Sequence, residues 1–246
     1  MTVSGSDFSD TEFLICLLAR MIGDARSVAA GAASPIPGAA SLLAQAQSGG
    51  KTQAMILGST THGPFNDGGP ELFDRAAQGR IDVFFLGGGQ IDGSANINLV
   101  GTGDYPKSTL RFPGSFGAPY LYFLIPRVIL FREEHSPRVL VPKVDFISAP
   151  GLSETTIHRP GGPESLVTGM AVFDFDRANG RFGLASTHLG HSVSDVRSRT
   201  GFSFDVSADV PTTAPPDARA LELLRGPVRE QIAEIYPAFV ADRLSV

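Results

Sequence analysis

Two glycine-rich turns beside apolar segments constrain what this 246-residue chain can fold into. The run Gly87–Gly89 follows the apolar segment Ile81–Leu86 and is followed by Gln90. The second turn, Pro113–Pro119, precedes the apolar segment Arg127–Glu133. Glycine leaves peptide N–H groups uncovered, and in open α/β sheets ligands lie at the carboxyl ends of the strands. We therefore predict that the two turns form one binding site.

Helices and strands are predicted to alternate in the first part of the chain. Ser9 and Glu12 have the spacing of a capping box and begin an apolar helix. The continuous apolar run QAMILG indicates a strand buried on both faces, and Pro70 marks the start of a further helix. In residues 31–38, GAASPIPG, two prolines are predicted to forbid regular structure, so that the second helix begins only at Ala39.

Strands dominate the later part of the predicted chain. A hairpin is predicted over residues 168–188 with its reversal at Asn179–Gly180, and Ser194 is predicted to cap a short helix. Residues 211–246 read as a proline-rich linker followed by two C-terminal helices, over residues 217–224 and 228–235. The pattern predicts an α/β fold: an open, mostly parallel sheet with helices on both faces and an antiparallel extension. We expect a single domain over residues 1–246.

Composition excludes several classes of function. The net charge is -5 and no basic run is present, which argues against nucleic acid as a partner. Cys16 is the only cysteine, so this chain can form neither an internal disulfide nor a cysteine metal cluster. Asp7 and Asp10 stand where a secretory signal carries basic residues, and no apolar run approaches the roughly 18 residues that span a bilayer. We expect a cytoplasmic protein with no membrane partner.

Motifs for nucleotides and for serine hydrolysis are not supported. The segment SGGKT, residues 48–52, follows a predicted helix and lacks the leading glycine of a phosphate-binding loop. Gly87–Gly89 lacks the spacing of a dinucleotide fingerprint and opens no helix. Ser59 and Ser115 have no G-x-S-x-G frame. None of these segments therefore assigns a reaction by itself.

Two clusters of titratable residues admit a structural and a functional interpretation. His188, His191 and Asp195 have the proximity of metal ligands, but a histidine that ends a hairpin also caps backbone groups, which is the interpretation we favour. We expect no metal site. Glu133, Glu134 and His135 end an apolar strand, where they either act as acid and base in a cleft or are a solvated strand end. We favour the solvated strand end.

The central stretch resembles the beta subunit of class I coenzyme A transferases, most closely the glutaconate CoA-transferase type. The resemblance reaches from about Gly31 to Thr200 and is carried by the segments RIDVFFLGGGQIDGSANIN, RFPGSFGAP and VDFISAPG, with LFDRAAQG before them and GMAVFDFD and STHLG after them. It implies an acyl-CoA substrate, in which coenzyme A is a substrate moiety and not a permanently bound cofactor. It also implies an alpha-type partner subunit in a heterodimer or heterotetramer, with the active site between unlike halves.

The resemblance assigns roles to both turns. It implies that Gly88, Gly89 and Gln90 line the acyl-CoA cleft. It implies that a neighbouring loop approaches the CoA thioester, and that loop consists of Gly114, Ser115, Phe116 and Gly117.

One departure from the family pattern bears on catalysis. The family places a nucleophilic glutamate at the end of the strand that here reads AMILG, and that position falls on Leu57 or Gly58. Neither residue can attack a thioester, and no carboxylate occurs between Asp24 and Asp67. We expect either acyl transfer without the usual glutamate in this chain, or hydrolysis as in the steroid ring-cleaving CoA hydrolases, where a glutamate of the alpha-type chain activates water. A non-catalytic scaffold half is the third alternative.

Overall fold

The computed structural model describes residues 7–63, 65 and 67–244. They form two compact units, the described residues of Met1–Phe85 with Ala214–Val246 (unit 1) and Leu86–Thr213 (unit 2). The single domain expected from the sequence stays a prediction. Among the described residues, no helix combines the length and the apolar character that crossing a bilayer requires.

The described residues contain α-helices and strands that alternate along the first part of the chain. The helices are α1 (Asp10–Ile22), α2 (Pro35–Gln47), α3 (Gly69–Ala77), α4 (Ala118–Leu124), α5 (Val193–Arg199), α6 (Ala218–Leu223), α7 (Arg229–Ala233) and α8 (Pro237–Arg243). The strands are β1 (Ser27–Ala30), β2 (Gln53–Ile56), β3 (Val83–Leu86), β4 (Gln90–Ile91), β5 (Ile97–Asn98), β6 (Gly101–Thr102), β7 (Leu110–Arg111), β8 (Arg127–Arg132), β9 (Pro163–Thr168), β10 (Ala171–Asp176), β11 (Arg181–Thr187) and β12 (Asp205–Val206).

Unit 1 is a parallel sheet covered by helices. β1 lies between β2 and β3 and runs parallel to both, so that Ala30 faces Ile56 on one side and Phe85 on the other. All three of these side chains are buried. Helix α2 packs against β1, β2, α1 and α7. Because β2 and β3 are parallel to the same strand, their carboxyl ends lie at the same edge of this sheet.

The capping box predicted for α1 is present. Ser9 accepts a hydrogen bond from the Glu12 N–H at 3.2 Å, and the Glu12 carboxylate accepts one from the Ser9 N–H at 2.8 Å. The prediction for α2 is wrong at its start, because this helix begins at Pro35 and contains Pro37. The first N–H groups of a helix have no partner within it, so proline in the first turn costs no helical hydrogen bond.

Unit 2 contains a second set of strands in the order β12-β11-β10-β9-β8. β8 runs parallel to β9, β10 is antiparallel to both β9 and β11, and β11 runs parallel to β12. The hairpin predicted over residues 168–188 is confirmed as β10 and β11. Its turn is fixed by the Asp176 carboxylate, which accepts the N–H groups of Ala178 and Asn179 at 2.9 and 3.0 Å. The predicted α/β class with an antiparallel extension is therefore confirmed.

Two predictions for the short helices need correction. Ser192 and not Ser194 caps α5, because the Ser192 hydroxyl accepts the Asp195 N–H at 3.1 Å. The predicted C-terminal helices are present as α6 and α7, but α8 follows them and was not predicted. Tyr236 and Pro237 stand at its start, where proline again occupies a position that needs no N–H partner.

A chain of buried polar side chains runs through unit 2. The ring nitrogens of His135 lie 2.8 Å from the Thr168 hydroxyl and 2.9 Å from the Thr200 hydroxyl. Those of His188 lie 2.9 Å from both the Thr213 hydroxyl and the Thr168 carbonyl oxygen. Burial lowers the pKa of His135 to about 4, since the interior disfavours the charged ring. The fold therefore holds this histidine neutral.

This neutral histidine makes stability depend on pH. The His135 pKa is about 4 in the folded chain and about 6.5 when unfolded, so between these values the unfolded chain binds more protons and acid weakens the fold. The contribution of neutral His135 to the free energy of unfolding is fully present above pH 6.5, and about 2 kcal/mol of this free energy is lost at pH 5. We expect His135→Gln to show a smaller loss of unfolding free energy between pH 7 and 5, measured by urea titration. The exposed His158→Gln should keep the wild-type loss; an identical loss in all three proteins would contradict the assignment.

Candidate functional site

The first glycine turn is packed against its own unit. A Cβ atom on Gly88 would lie 2.4 Å from the Ile97 side chain, and one on Gly89 would lie 2.2 Å from the Phe112 ring. The Gly89 N–H donates to the carbonyl oxygen of Asn98 at 2.9 Å. Glycine is thus required at these positions because the backbone approaches neighbouring side chains closely.

Gln90 is buried, and both ends of its side-chain amide form hydrogen bonds within the chain. Its Oε1 accepts the Asn98 side-chain amide at 2.7 Å and the Asp145 N–H at 3.0 Å. Its Nε2 donates to the Asp145 carboxylate at 3.2 Å. The side chain therefore shapes the base of the turn through Asn98 and Asp145.

Residues that sequence reasoning did not single out complete this base. Asp92 accepts the N–H groups of Ser94 and Asn96 at 3.0 and 3.1 Å, which closes the turn between β4 and β5. The Asn98 Oδ1 accepts the N–H groups of Val100 and Gly101 at 3.0 and 3.2 Å. Asp and Asn between short strands are a sequence signal for such side-chain-closed turns. That signal is present in QIDGSANIN.

The second turn is the exposed one. The ring of Phe116 is 77% exposed, and its backbone has a φ of 45°, a left-handed conformation that non-glycine residues rarely adopt. Gly114 has a φ of 107° and donates its N–H to the Leu99 carbonyl oxygen at 3.1 Å. The Ser115 carbonyl oxygen accepts the Ala118 N–H at 2.8 Å, at the start of α4. Gly117 immediately precedes this helix and is buried.

Both turns are fastened to the same short segment of unit 2. Gly89 donates to Asn98, Gly114 donates to Leu99, and the Phe112 N–H donates to the Val100 carbonyl oxygen at 2.9 Å. The Phe112 ring in turn packs on Gly89. The structure therefore brings together the two turns that the sequence places 24 residues apart, from Gly89 to Pro113. The N–H groups of Gly89 and Gly114 are already donated inside the unit.

Leu57 and Gly58, on which the resemblance predicts the family's glutamate position to fall, lie in unit 1 just after β2. The Leu57 N–H donates to the Ala30 carbonyl oxygen at 3.0 Å and so extends the strand pairing. Gly58 is exposed, with a φ of 97°, and a Cβ atom there would meet nothing within 4 Å. The chain then reverses, since the Ile56 N–H donates to the His62 carbonyl oxygen at 2.8 Å. Neither Leu57 nor Gly58 carries a group that can attack a thioester.

A carboxylate that sequence reasoning missed lies against this reversal. Glu234 follows α7 and accepts hydrogen bonds from Ser59 and Thr60. Sequence spacing offers no signal for this contact, because Glu234 is separated from Thr60 by 174 residues.

The acidic pair after β8 is a surface feature. Glu133 is exposed, and Glu134 forms an ion pair with Arg138. The Ser136 hydroxyl donates to the Glu134 carboxylate at 2.6 Å, and this hydrogen bond, together with Arg138, lowers the pKa of Glu134. Glu134 therefore stays ionised as a partner of Arg138, which favours the solvated strand end over an acid or base.

The histidine pair has a structural environment. His188 is buried and contacts Thr213 and the Thr168 carbonyl oxygen, as expected of a histidine that caps backbone groups at the end of a hairpin. The His191 N–H donates to the His188 carbonyl oxygen at 3.0 Å. The Asp195 carboxylate accepts the N–H and hydroxyl of Ser192 at 2.8 and 2.6 Å and so caps α5.

Comparison of the sequence with known proteins places these turns in a family. Residues 29–198 match the sequence profile of the family described as Coenzyme A transferase. The chain is 35% identical over 153 residues to one subunit of the 3-oxoadipate CoA-transferase of Pseudomonas knackmussii, which is 60% of this chain and 58% of that protein. It is 34% identical over 150 residues to one subunit of the glutaconate CoA-transferase of Acidaminococcus fermentans, 58% of this chain and 55% of that protein. The matches thus span little more than half the length of these relatives.

Solved structures with the same fold cover nearly the whole chain. A structure of the decarboxylase AibA/AibB is 28% identical, with a TM-score of 0.77 over 94% of this chain and 96% of that chain. Glutaconate coenzyme A-transferase from Acidaminococcus fermentans has a TM-score of 0.81 at 21% identity and covers 98% of both chains. IpdAB from Rhodococcus jostii RHA1 has a TM-score of 0.75 at 23% identity, over 89% of this chain and 94% of that chain. The last two likenesses concern the fold alone.

The family match begins within β1, ends within α5, and includes both glycine turns with the segment that joins them. It confirms the resemblance that the sequence segments predicted. The chain belongs to the coenzyme A transferase family.

Proposed function

We propose that this chain is the beta-type subunit of a two-chain enzyme that acts on an acyl-CoA thioester. The observation that carries the proposal is the attachment of both glycine turns to Asn98–Val100 within the family segment. Two relatives are each named as one subunit of a CoA-transferase, which supports an alpha-type partner. We propose a heterodimer or heterotetramer located in the cytoplasm, with coenzyme A entering as part of the substrate.

We propose different tasks for the two turns. Gly88, Gly89 and Gln90 would form the rigid base of the acyl-CoA cleft, since their packing and hydrogen bonds fix the backbone there. The turn Gly114–Gly117 would approach the thioester, because it presents the exposed Phe116. Backbone strain at a non-glycine residue is typical of ligand-contacting segments and is consistent with this task.

The reacting side chain would come from the partner subunit. In this chain the family's glutamate position falls on Leu57 or Gly58, and Glu134 is engaged with Arg138. The first candidate reaction is acyl transfer to a carboxylate. The second candidate is hydrolysis of the thioester with a partner glutamate that activates water, and the absence of a carboxylate at Leu57 and Gly58 favours it. A scaffold half without a catalytic group remains the third proposal.

The contact between Phe116 and the substrate is tested by truncating the ring. Alanine at position 116 would have to adopt the same left-handed backbone conformation as phenylalanine, so the substitution does not change the backbone strain. A ring that is 77% exposed contributes little to the core. Phe116→Ala should therefore leave the free energy of unfolding unchanged. In the complex with its partner subunit, it should raise the KM for acyl-CoA about tenfold, because the lost burial of the ring amounts to about 1.4 kcal/mol. Steady-state kinetics measures this.

Leu189→Ala is the matched control, since Leu189 is 67% exposed and lies in the same unit. It should leave the KM unchanged. Equal KM values for the wild-type complex and both variants would refute a substrate contact of this turn.

A trapping experiment tests where the nucleophile resides. The complex is incubated with acyl-CoA and then with hydroxylamine, which converts an activated carboxylate to a hydroxamate, and both subunits are analysed by peptide mass spectrometry. We expect no modified carboxylate on this chain. Modification of a partner glutamate supports transfer, and turnover without modification supports hydrolysis. A hydroxamate on any glutamate or aspartate of this chain would overturn the proposed division of labour.

A further inference from the structure

We infer that Glu234 is a positioning residue that fixes the loop Leu57–Gly63, here called the β2 loop. The inference rests on the proposed function and on the resemblance, which implies that the family's reacting glutamate would fall on Leu57 or Gly58 in this loop. It concerns a residue beyond the family segment, which ends at residue 198. It gives the C-terminal helices of unit 1 a functional role.

The contact is made by both oxygens of one carboxylate. The Glu234 Oε1 accepts the Thr60 N–H at 2.8 Å and the Thr60 hydroxyl at 2.5 Å. Its Oε2 accepts the Ser59 hydroxyl at 2.8 Å. Hydrogen bonds to an ionised acceptor are about twice as strong as those between neutral groups. Three such bonds to two successive residues therefore fix the first half of the β2 loop.

Ser59 passes this restraint to the second half of the β2 loop. Its hydroxyl oxygen accepts the N–H groups of Thr61 and His62 at 3.2 and 2.7 Å while it donates to Glu234. Ser59 is buried. A Cβ atom on Gly63 would lie 2.2 Å from the Ser59 carbonyl oxygen, so the loop closes tightly on itself. One carboxylate and one hydroxyl thus organise the N–H groups of three consecutive residues.

The helix that precedes Glu234 is anchored in the core of unit 1. Ile232 is fully buried, and its side chain comes within 3.2 Å of the position a Cβ atom on Gly38 would take. The Tyr236 hydroxyl accepts the Ser34 N–H at 3.2 Å, just before α2. Glu234 lies between these two contacts in the chain. The contacts of Ile232 and Tyr236 near α2 therefore hold the chain on both sides of Glu234. From there the Glu234 carboxylate reaches the β2 loop.

The hydrogen bonds indicate a positioning role and not a direct chemical one. The hydroxyl and N–H of Thr60, together with the Ser59 hydroxyl, lower the pKa of Glu234, so the carboxylate stays ionised at neutral pH. A carboxylate whose oxygens already accept three hydrogen bonds is a weaker base and nucleophile than a free one. The place of the β2 loop in the family pattern supports this role. Leu57 and Gly58 begin the loop that Glu234 fixes, and Gly58 has open space beside it.

The test combines local hydrogen exchange with kinetics of the two-subunit complex. Glu234→Gln places an amide group opposite donors that need an acceptor. We expect amide exchange of residues 57–63 to become at least tenfold faster, with the rest of unit 1 unchanged. We expect kcat to fall about tenfold and the KM for acyl-CoA to change less than twofold, because the loop holds the backbone at the family's glutamate position and is not proposed to bind CoA. Glu234→Asp should recover part of kcat.

Two further variants separate positioning from a general loss of structure. Glu230→Gln removes an exposed carboxylate from α7 and should match wild type in exchange and kinetics. Thr60→Val removes the hydroxyl that donates to Glu234, so combining it with Glu234→Gln should lower kcat by less than the product of the two single effects.

Each outcome bears on a different claim. Unchanged exchange of residues 57–63 in Glu234→Gln would overturn the restraint itself. Faster exchange with unchanged kcat and KM would overturn the positioning role while the proposed function stands. A wild-type complex without turnover of any acyl-CoA would refute the proposed function, and with it the role of the loop, even where the exchange result shows the restraint.

Discussion

The attachment of two turns to the segment Asn98–Val100 is the interaction on which the candidate site depends. Three backbone N–H groups donate to three successive carbonyl oxygens, and the side chain of Asn98 accepts two further N–H groups beside them. Gln90 and Asp145 complete this network. A buried polar group without a hydrogen-bond partner destabilises the folded chain. A network in which each group has a partner therefore favours a single backbone arrangement. A strained, exposed turn at Phe116 is tolerated because its base is fixed in this way.

Much of the fold follows from local signals in the sequence. The capping box at Ser9, the apolar run of β2 and the Asn179–Gly180 reversal each predict an element that the structure contains. The start of α2 was predicted four residues too late, since Pro35 was taken as a breaker when it occupies a first turn. Helix α8 was missed although Pro237 stands in its first turn, the same local signal that marks the start of α3.

The site was predictable in its backbone and not in its side chains. Glycine marks the two turns in the sequence, but glycine also occurs where the backbone is closely packed. Only the structure shows that Gly89 packs against the Phe112 ring, whereas Gly58 has open space beside it. Gln90 was expected to line a cleft, whereas its amide is used inside the unit; its place at the cleft stays a prediction. Glu234 was beyond sequence reasoning, because a contact across 174 residues arises from the fold alone.

The central claim is that the turn Gly114–Gly117 contacts the acyl-CoA while the reacting side chain belongs to the partner subunit. Photoaffinity labelling of the two-subunit complex tests it most directly, with a CoA thioester whose acyl group is photoreactive, followed by peptide mapping of both chains. We expect label in the peptide that contains residues 113–119 of this chain and in one peptide of the partner, both suppressed by excess acyl-CoA. Label that competes with acyl-CoA but is absent from residues 113–119 would contradict it.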